Sequence, residues 1–410
     1  MNRFMIPVLL LVLIFTPACW DLREVERLGI VMAIGLEPAP GNKVRVIVQN
    51  VAPSAMAGGG GGGGGGGDGA EGIAAKPYRN LGAEADTVFE AFRELSRESP
   101  RQLFFAHNQV IILSEELARE RGLEEVLDIF ERNPQIRRAT WMLVGRGEMA
   151  HLLDVPGRIE ITPAQRIFGI INERDLTSQY AVQGLGNFIE QMEIEGAQPY
   201  TAVVEVVPNL VLPTEYGHNV AEGQPKEPHH NLKLSGTALF RLDKMVGFLD
   251  LKESRGLLWV RGKVNGGVIE VPAPDGNGKL VSLEILRSKT ELQPEIRDGR
   301  IYIAVDVKVE SNLGETTGPL ELTKPEAIDQ LEVLQAGAIM DEIESALTKA
   351  QQEYGVDVFG FGEAMHRKYP REWQEMKKNW PELFPGVQVK MIVDAKIRRT
   401  GLVSSPVQSK

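Results

Sequence analysis

Ile301, Ile303, Val305, Val307 and Val309 alternate strictly with Tyr302, Ala304, Asp306 and Lys308. A period of two sends one set to each face of an extended chain, so the run reads as a half-buried strand. Val387 to Ile397 repeats the pattern. Between the two, Ile328, Leu331, Ile339, Ile343, Leu347 and Ala350 fall on one helical stripe. Thr323 with Glu326 three residues later is a capping box, and Pro325 stands in the first turn. The spacing predicts one helix of about 30 residues lying across an antiparallel sheet, an α+β arrangement.

The N-terminal half carries a different rhythm. Leu28 to Leu36 is nearly continuously apolar, as expected of a strand covered on both faces, and Val44, Val46 and Val48 mark a second strand across the Pro38–Asn42 turn. Ten consecutive glycines, Gly58 to Gly67, cannot pack and predict a disordered loop rather than a phosphate cradle. Ala85, Val88, Phe92 and Leu95 then mark a helix face, His107 to Leu113 a strand, Leu123, Val126, Leu127 and Phe130 a second helix, and Ala139 to Val144 another strand. Alternation of this kind predicts an α/β domain.

Thr162 to Glu195 turns helical and is followed by a short strand at Thr201 to Val207, read as a small middle domain. Pro208 to Pro228 is rich in proline without periodicity and reads as a boundary loop. The expected organisation is therefore mixed α/β and α+β and multidomain, sheets with packed helices. A signal peptide spans 1–18, an N-terminal α/β domain 19–157 with its glycine-rich loop at 53–75, the middle domain and boundary loop 158–228, the C-terminal α+β domain 229–401 and a disordered tail 402–410.

Lys and Arg total 45 against 56 for Asp and Glu, and the net charge of -11 argues against nucleic acid as a partner. The single cysteine, Cys19, excludes an internal disulfide and a thiolate metal cage. It stands directly behind a basic start at Arg3, an apolar run from Phe4 to Phe15 and the small residue Ala18. That run is well short of the roughly 20 residues that cross a bilayer, so the layout is that of an export signal. A cysteine exposed by its removal predicts a lipid anchor at Cys19, each buried methylene contributing about 0.8 kcal/mol to membrane attachment.

No catalytic constellation emerges. His107, His151, His218, His229, His230 and His366 include no pair at metal-ligand spacing on a helix, and no nucleophile elbow, Walker loop or dinucleotide fingerprint is present. The expectation is a protein without enzymatic activity, metal or cofactor. The densest chemistry lies in "DVFGFGEAMHRKYPREWQEMKKNW", Asp357 to Trp380, where aromatic and basic residues mix. Phe361, His366, Arg367, Tyr369, Arg371 and Trp373 are its candidate partner-contact residues. The alternative is that its aromatics close the end of the C-terminal core while its charges face water.

Four stretches in order, "CWDLREVERLGIVMAIGLE", "SPRQLFFAHNQVIILSEELA", "GTALFRLDKMVGFLDLKESRGLLWV" and "DVFGFGEAMHRKYPREWQ", resemble the Ger(x)C family, the lipoprotein C subunits of spore germinant receptors. The similarity runs from Cys19 to about Gly401. It implies a three-domain mixed α/β lipoprotein on the outer face of the inner spore membrane. Its partners would be two integral-membrane subunits, A and B, in a nutrient-sensing complex that triggers germination. Carried onto this chain, it assigns the diacylglycerol anchor to Cys19, with Trp20 and Asp21 as its immediate motif. The other matched residues, Gly360, Phe361, Gly362, His366, Arg367, Pro370 and Trp373, it leaves as structural. A second class stays open: a lipid-anchored envelope protein that captures a soluble ligand itself. That class requires a cleft between domains lined with converging polar groups, whereas a scaffold requires a broad apolar and charged patch.

Overall fold

The structure, a computed structural model, describes residues 27–51, 76–156, 159–208, 230–274, 278–317 and 325–399. Cys19 and the segment before it, the glycine run, the connection after Pro208, Thr323 and the 402–410 tail lie outside the described residues.

In chain order the first part runs β1 (Leu28–Ala39), β2 (Lys43–Val51), β3 (Tyr78–Ala85), α1 (Val88–Glu98), β4 (Gln102–Phe104), β5 (Val110–Ser114), α2 (Glu115–Glu120), α3 (Leu123–Arg132) and β6 (Trp141–Arg146). It continues with α4 (Met149–Leu152), α5 (Pro163–Asn172), β7 (Gln183–Gly184), α6 (Leu185–Glu193), β8 (Tyr200–Pro208), β9 (His230–Arg241) and β10 (Lys244–Leu249). All ten strands share one sheet, in the order β10-β9-β8-β6-β5-β1-β2-β3, with β4 paired to β1 and β7 to β6. Its centre is parallel: β1 pairs with β5, β5 with β6 and β6 with β8 in the same direction. Both faces are covered, which is why Leu28 to Leu36 is apolar without alternation. Leu95, Leu117, Phe130 and Phe188 from α1, α2, α3 and α6 bury one face, and Met149, Ile167 and Ile171 from α4 and α5 bury the other. The side chains of Thr87 and Thr162 cap α1 and α5 by accepting the N–H groups of Glu90 and Gln165.

A second sheet forms from β11 (Val268–Pro272), β12 (Leu280–Arg297), β13 (Arg300–Thr316) and β14 (Gln388–Arg399), in that order. Ile303, Val305 and Val307 are fully buried, as their alternation predicts. They are covered by α7 (Leu251–Val260) and α8 (Pro325–Leu347), the latter extended by a π-helical segment at Thr348–Glu353. The expected stripe residues Leu331, Ile339, Ile343 and Ala350 all enter this core. Three short helices, α9 (Phe361–Lys368), α10 (Pro370–Met376) and α11 (Trp380–Leu383), then lead to β14.

Two particulars differ from expectation. The mixed class holds, but the last pair of the C-terminal sheet is parallel: Tyr302 stands opposite Gln388 and Val309 opposite Ala395. A helix placed between two neighbouring strands carries the chain back to its starting end, and the second strand then runs the same way as the first. The other difference concerns where the sheets change. β8 belongs to the segment expected as a middle domain, and β9 to the expected C-terminal domain, yet Pro208 pairs with His230 and Tyr200 with Leu239 in the first sheet. The change of sheet comes at α7, where Ser254 to Val260 are all buried, the pattern of a helix enclosed on every side.

Candidate functional site

The segment Asp357 to Trp380 is where the two sheets meet. One oxygen of the Asp357 carboxylate accepts the backbone N–H groups of Phe359, Gly360 and Phe361 at 3.1, 2.9 and 3.2 Å. The other accepts Gly362 N–H at 2.7 Å and the Trp380 indole N–H at 3.0 Å. Gly360 makes this possible by adopting φ +84, the left-handed region that turns the backbone around the carboxylate into α9. Asp357 is only 3% exposed, and burial raises its carboxyl above the ordinary value against the pull of the donors.

That clasp docks on the loop leading into β8. Asp357 O accepts Gln198 N–H at 3.0 Å, and Lys377 pairs with Glu195 at 2.6 Å. Gly196, at φ +85, leaves space for the Trp373 ring: a Cβ there would stand 2.4 Å from it. A Cβ on Gly362 would lie 2.3 Å from Gly196 O. Around this contact Phe361 stacks on Phe359, Trp373 meets Trp380 edge-on with centroids 5.2 Å apart, and His366 stacks on Trp373.

Of the six contact candidates, Phe361 and Trp373 are therefore buried inside the chain, where they close the core and offer nothing to a partner. His366, Arg367 and Arg371 are exposed and Tyr369 partly so. Asp357 was the residue in this stretch that composition overlooked, although a short acidic side chain ahead of a glycine-bearing helix start is a local capping signal.

A second buried carboxylate fixes α7 to α8. Glu342 accepts two hydrogen bonds from the Arg255 guanidinium, at 2.9 and 2.5 Å, and one from the Trp259 indole at 2.9 Å. Arg255 also donates to Val268 O at 2.8 Å, so the charge pair is enclosed and fully engaged. The helices can approach this closely because Gly256 faces the α8 backbone; a Cβ there would lie 2.0 Å from Glu342 O.

Between the two sheets lies a cleft of about 310 Å³. Its walls carry Arg174, Asp175, Ser178, Gln183 and Tyr200 from the first part of the chain, and Lys263 and Asn265 from the turn after α7. Tyr200 is 1% exposed and its hydroxyl lies 3.3 Å from Lys263 Nζ. Burial raises the phenol, but Arg261 and Lys263 outweigh it and bring the group below its ordinary value. The sequence expectation did not join these residues, which come from distant loops.

Among the described residues no group of three or more His, Cys, Asp or Glu could hold a metal ion. His151 and His230, far apart in sequence, meet edge-on at 4.8 Å without further ligands, while His107 lies beside Phe104 at the surface. His218 and His229 lie outside the described residues.

The chain matches two family models: the spore germination protein N-terminal domain over residues 21–206, and the spore germination B3/GerAC-like C-terminal domain over residues 235–401. It is similar to spore germination protein KC of Bacillus subtilis (strain 168), 28% identical over 406 residues that cover 98% of this chain and 96% of that protein. Spore germination protein YndF of the same strain is 27% identical, covering 96% of each chain, and spore germination protein B3 is 24% identical, covering 94% of each. A crystal structure of the GerBC protein superposes with a TM-score of 0.55 at 21% identity, covering 89% of this chain and 96% of that one, which is a likeness of fold. All four motifs read in the sequence fall inside or at the edge of the matched ranges, and by those two consecutive matches the chain belongs to the Ger(x)C family of spore germination proteins.

Proposed function

We propose that this protein is the non-enzymatic, lipid-anchored subunit of a nutrient-sensing spore germinant receptor. It is held on the outer face of the inner spore membrane through Cys19 and works beside integral-membrane A and B subunits. The observation that carries the reading is the pair of family matches that together span almost the whole chain behind Cys19. Two features support it. Among the described residues no helix is long and apolar enough to cross a membrane, and Cys19 behind its short apolar run is the attachment proposed. The buried polar groups of the joint, Asp357, Glu342 and Arg255, are engaged with their own neighbours, as a structural element requires.

Replacing Cys19 with Ala in sporulating cells tests the anchor. Incorporation of labelled fatty acid and most membrane association should be lost, while unchanged labelling overturns the anchor. Purification of the tagged wild-type protein from spore membranes tests the complex: polytopic partners should accompany it, and their absence in a detergent that preserves other membrane complexes overturns the receptor reading.

A further inference from the structure

We infer that the cleft between the two sheets is a binding site for a small oxyanion, a solute presenting a carboxylate or a phosphate. This goes beyond the receptor reading and stands without it. Three observations converge on the site, the first being uncompensated positive charge. Among the described residues neither Lys263 nor Arg174 has a carboxylate within ion-pair distance. Arg174 lies over the Trp141 ring at 5.3 Å and gives one N–H to Ile171 O, which leaves the rest of its donor fork open. Lys263 gives one contact to the Tyr200 hydroxyl and keeps two further donors. Arg261 stands behind Tyr200 but is occupied by Glu363 and Val358 O. Among the described residues Asp175 is the one acidic group of the lining, and an Asn265 amide hydrogen holds one of its oxygens at 3.3 Å.

The second observation is an unsatisfied hydroxyl. Ser178 is 3% exposed, lines the cleft, and its Oγ has no hydrogen-bond partner. Its backbone is also held at φ +48, a conformation that a serine adopts only where its surroundings impose it. A buried donor without an acceptor is rare in native proteins and calls for an explanation. By turning toward the cleft, the Ser178 side chain would find that acceptor in an oxyanion seated between Arg174 and Lys263.

Thirdly, the site is closely packed and jointly built. Gly266 and Gly267 press on the loop that carries Arg174 and Ser178: Cβ atoms on them would stand 2.4 Å from Asp175 O and 2.7 Å from Thr177 O. At about 310 Å³ the cleft falls in the size range of small-ligand sites, enough for a small organic acid or a phosphate ester. Because the donors come from both sides of the joint, occupancy should stiffen the contact between the two sheets.

Calorimetric titration of the purified full-length protein in detergent tests this, with succinate in one arm and inorganic phosphate in the other, at constant ionic strength. Saturable binding of at least one is expected, and the arm that responds identifies the oxyanion. Lys263→Met and Arg174→Gln should each weaken it about tenfold or more, with Lys263→Arg retaining it and the melting temperature of the unliganded variants held close to wild type. No binding in either arm at 10 mM ligand, or binding that Lys263→Met leaves unchanged, overturns the site. Should Lys263→Met fail to fold, the decision falls to Lys263→Arg and Arg174→Gln: retention in the first with loss in the second supports the site, and any other pattern removes it.

Discussion

Asp357 and Glu310 are both carboxylates gripped by several donors, and both tie together elements that are distant in sequence. Asp357 sits inside the joint between the sheets and meets only N–H groups, four of the backbone and one of an indole. Glu310 lies on β13 near the surface, where Arg287 of β12 and Arg398 of β14 reach it from either side at 2.7 and 2.8 Å. The ionic partners belong to the exposed group, yet the neutral partners of Asp357 matter more. Water replaces a lost ion pair on the surface, whereas nothing replaces an acceptor removed from the interior. The joint is therefore where single substitutions should break the molecule, and the outer face of the second sheet is where they should pass.

Asp357→Ala tests the larger half of that contrast. It leaves five donors buried without an acceptor and should cost about 4 kcal/mol or more, seen as failure to fold or a steep loss in the urea midpoint. Asp357→Asn is the sharper form, because the amide turns an N–H₂ toward N–H donors in either orientation, so it too should be severely destabilising. A midpoint for Asp357→Asn within error of wild type would falsify the assignment of the clasp.

Glu342→Gln should come next, at about 3 kcal/mol, since it leaves the enclosed Arg255 charge without its counter-ion. Combining Arg255→Met with Glu342→Leu removes both charges and should recover part of that loss, only part because the Trp259 indole N–H still loses its acceptor. A double variant no more stable than Glu342→Gln shows that packing, not the unpaired charge, dominates. Gly196→Ala should cost about 2 kcal/mol, from a left-handed backbone and a methyl driven into the Trp373 ring. The melting curve decides, and an unchanged one would mean that the loop before β8 and α10 separate without penalty.

The contrast also explains what could be read from the chain. Period-two strands such as β13 and the stripe on α8 are local patterns, and burial of alternate residues follows directly from them. The clasp has a local trace as well, since Asp357 and its backbone donors lie within six consecutive residues. Arg255 and Glu342 are 87 positions apart, and a glutamate on a helix carries no mark of a distant guanidinium. The cleft is harder still, because its lining comes from loops around Arg174, Tyr200 and Lys263 that have no shared period. Pairing direction was within reach: a long helix between two strands already calls for parallel neighbours, and the alternation alone obscured it. The place where the sheets change was not, because a proline-rich stretch reads as a boundary whether it separates domains or joins two strands of one sheet.

The smallest expected effect belongs to Glu310→Gln, and its pH dependence gives it diagnostic value. Hydrogen bonds from Arg398 and Arg287 hold the Glu310 carboxyl down at about 2, against an ordinary value of 4.5. A carboxyl depressed by folding contributes stability that is complete above its unfolded value and disappears as pH falls through its folded one. The stability of wild type relative to Glu310→Gln should therefore be constant above about pH 5 and shrink steadily as pH falls from 4.5 toward 2. High salt should narrow the gap at neutral pH, because both arginines are largely exposed. Chemical denaturation of both proteins at a series of pH values measures the gap directly. A difference that stays constant down to pH 3 would mean that the clamp forms no better in the folded sheet than in the unfolded chain, and the outer face of β12, β13 and β14 would then owe its order to strand pairing alone.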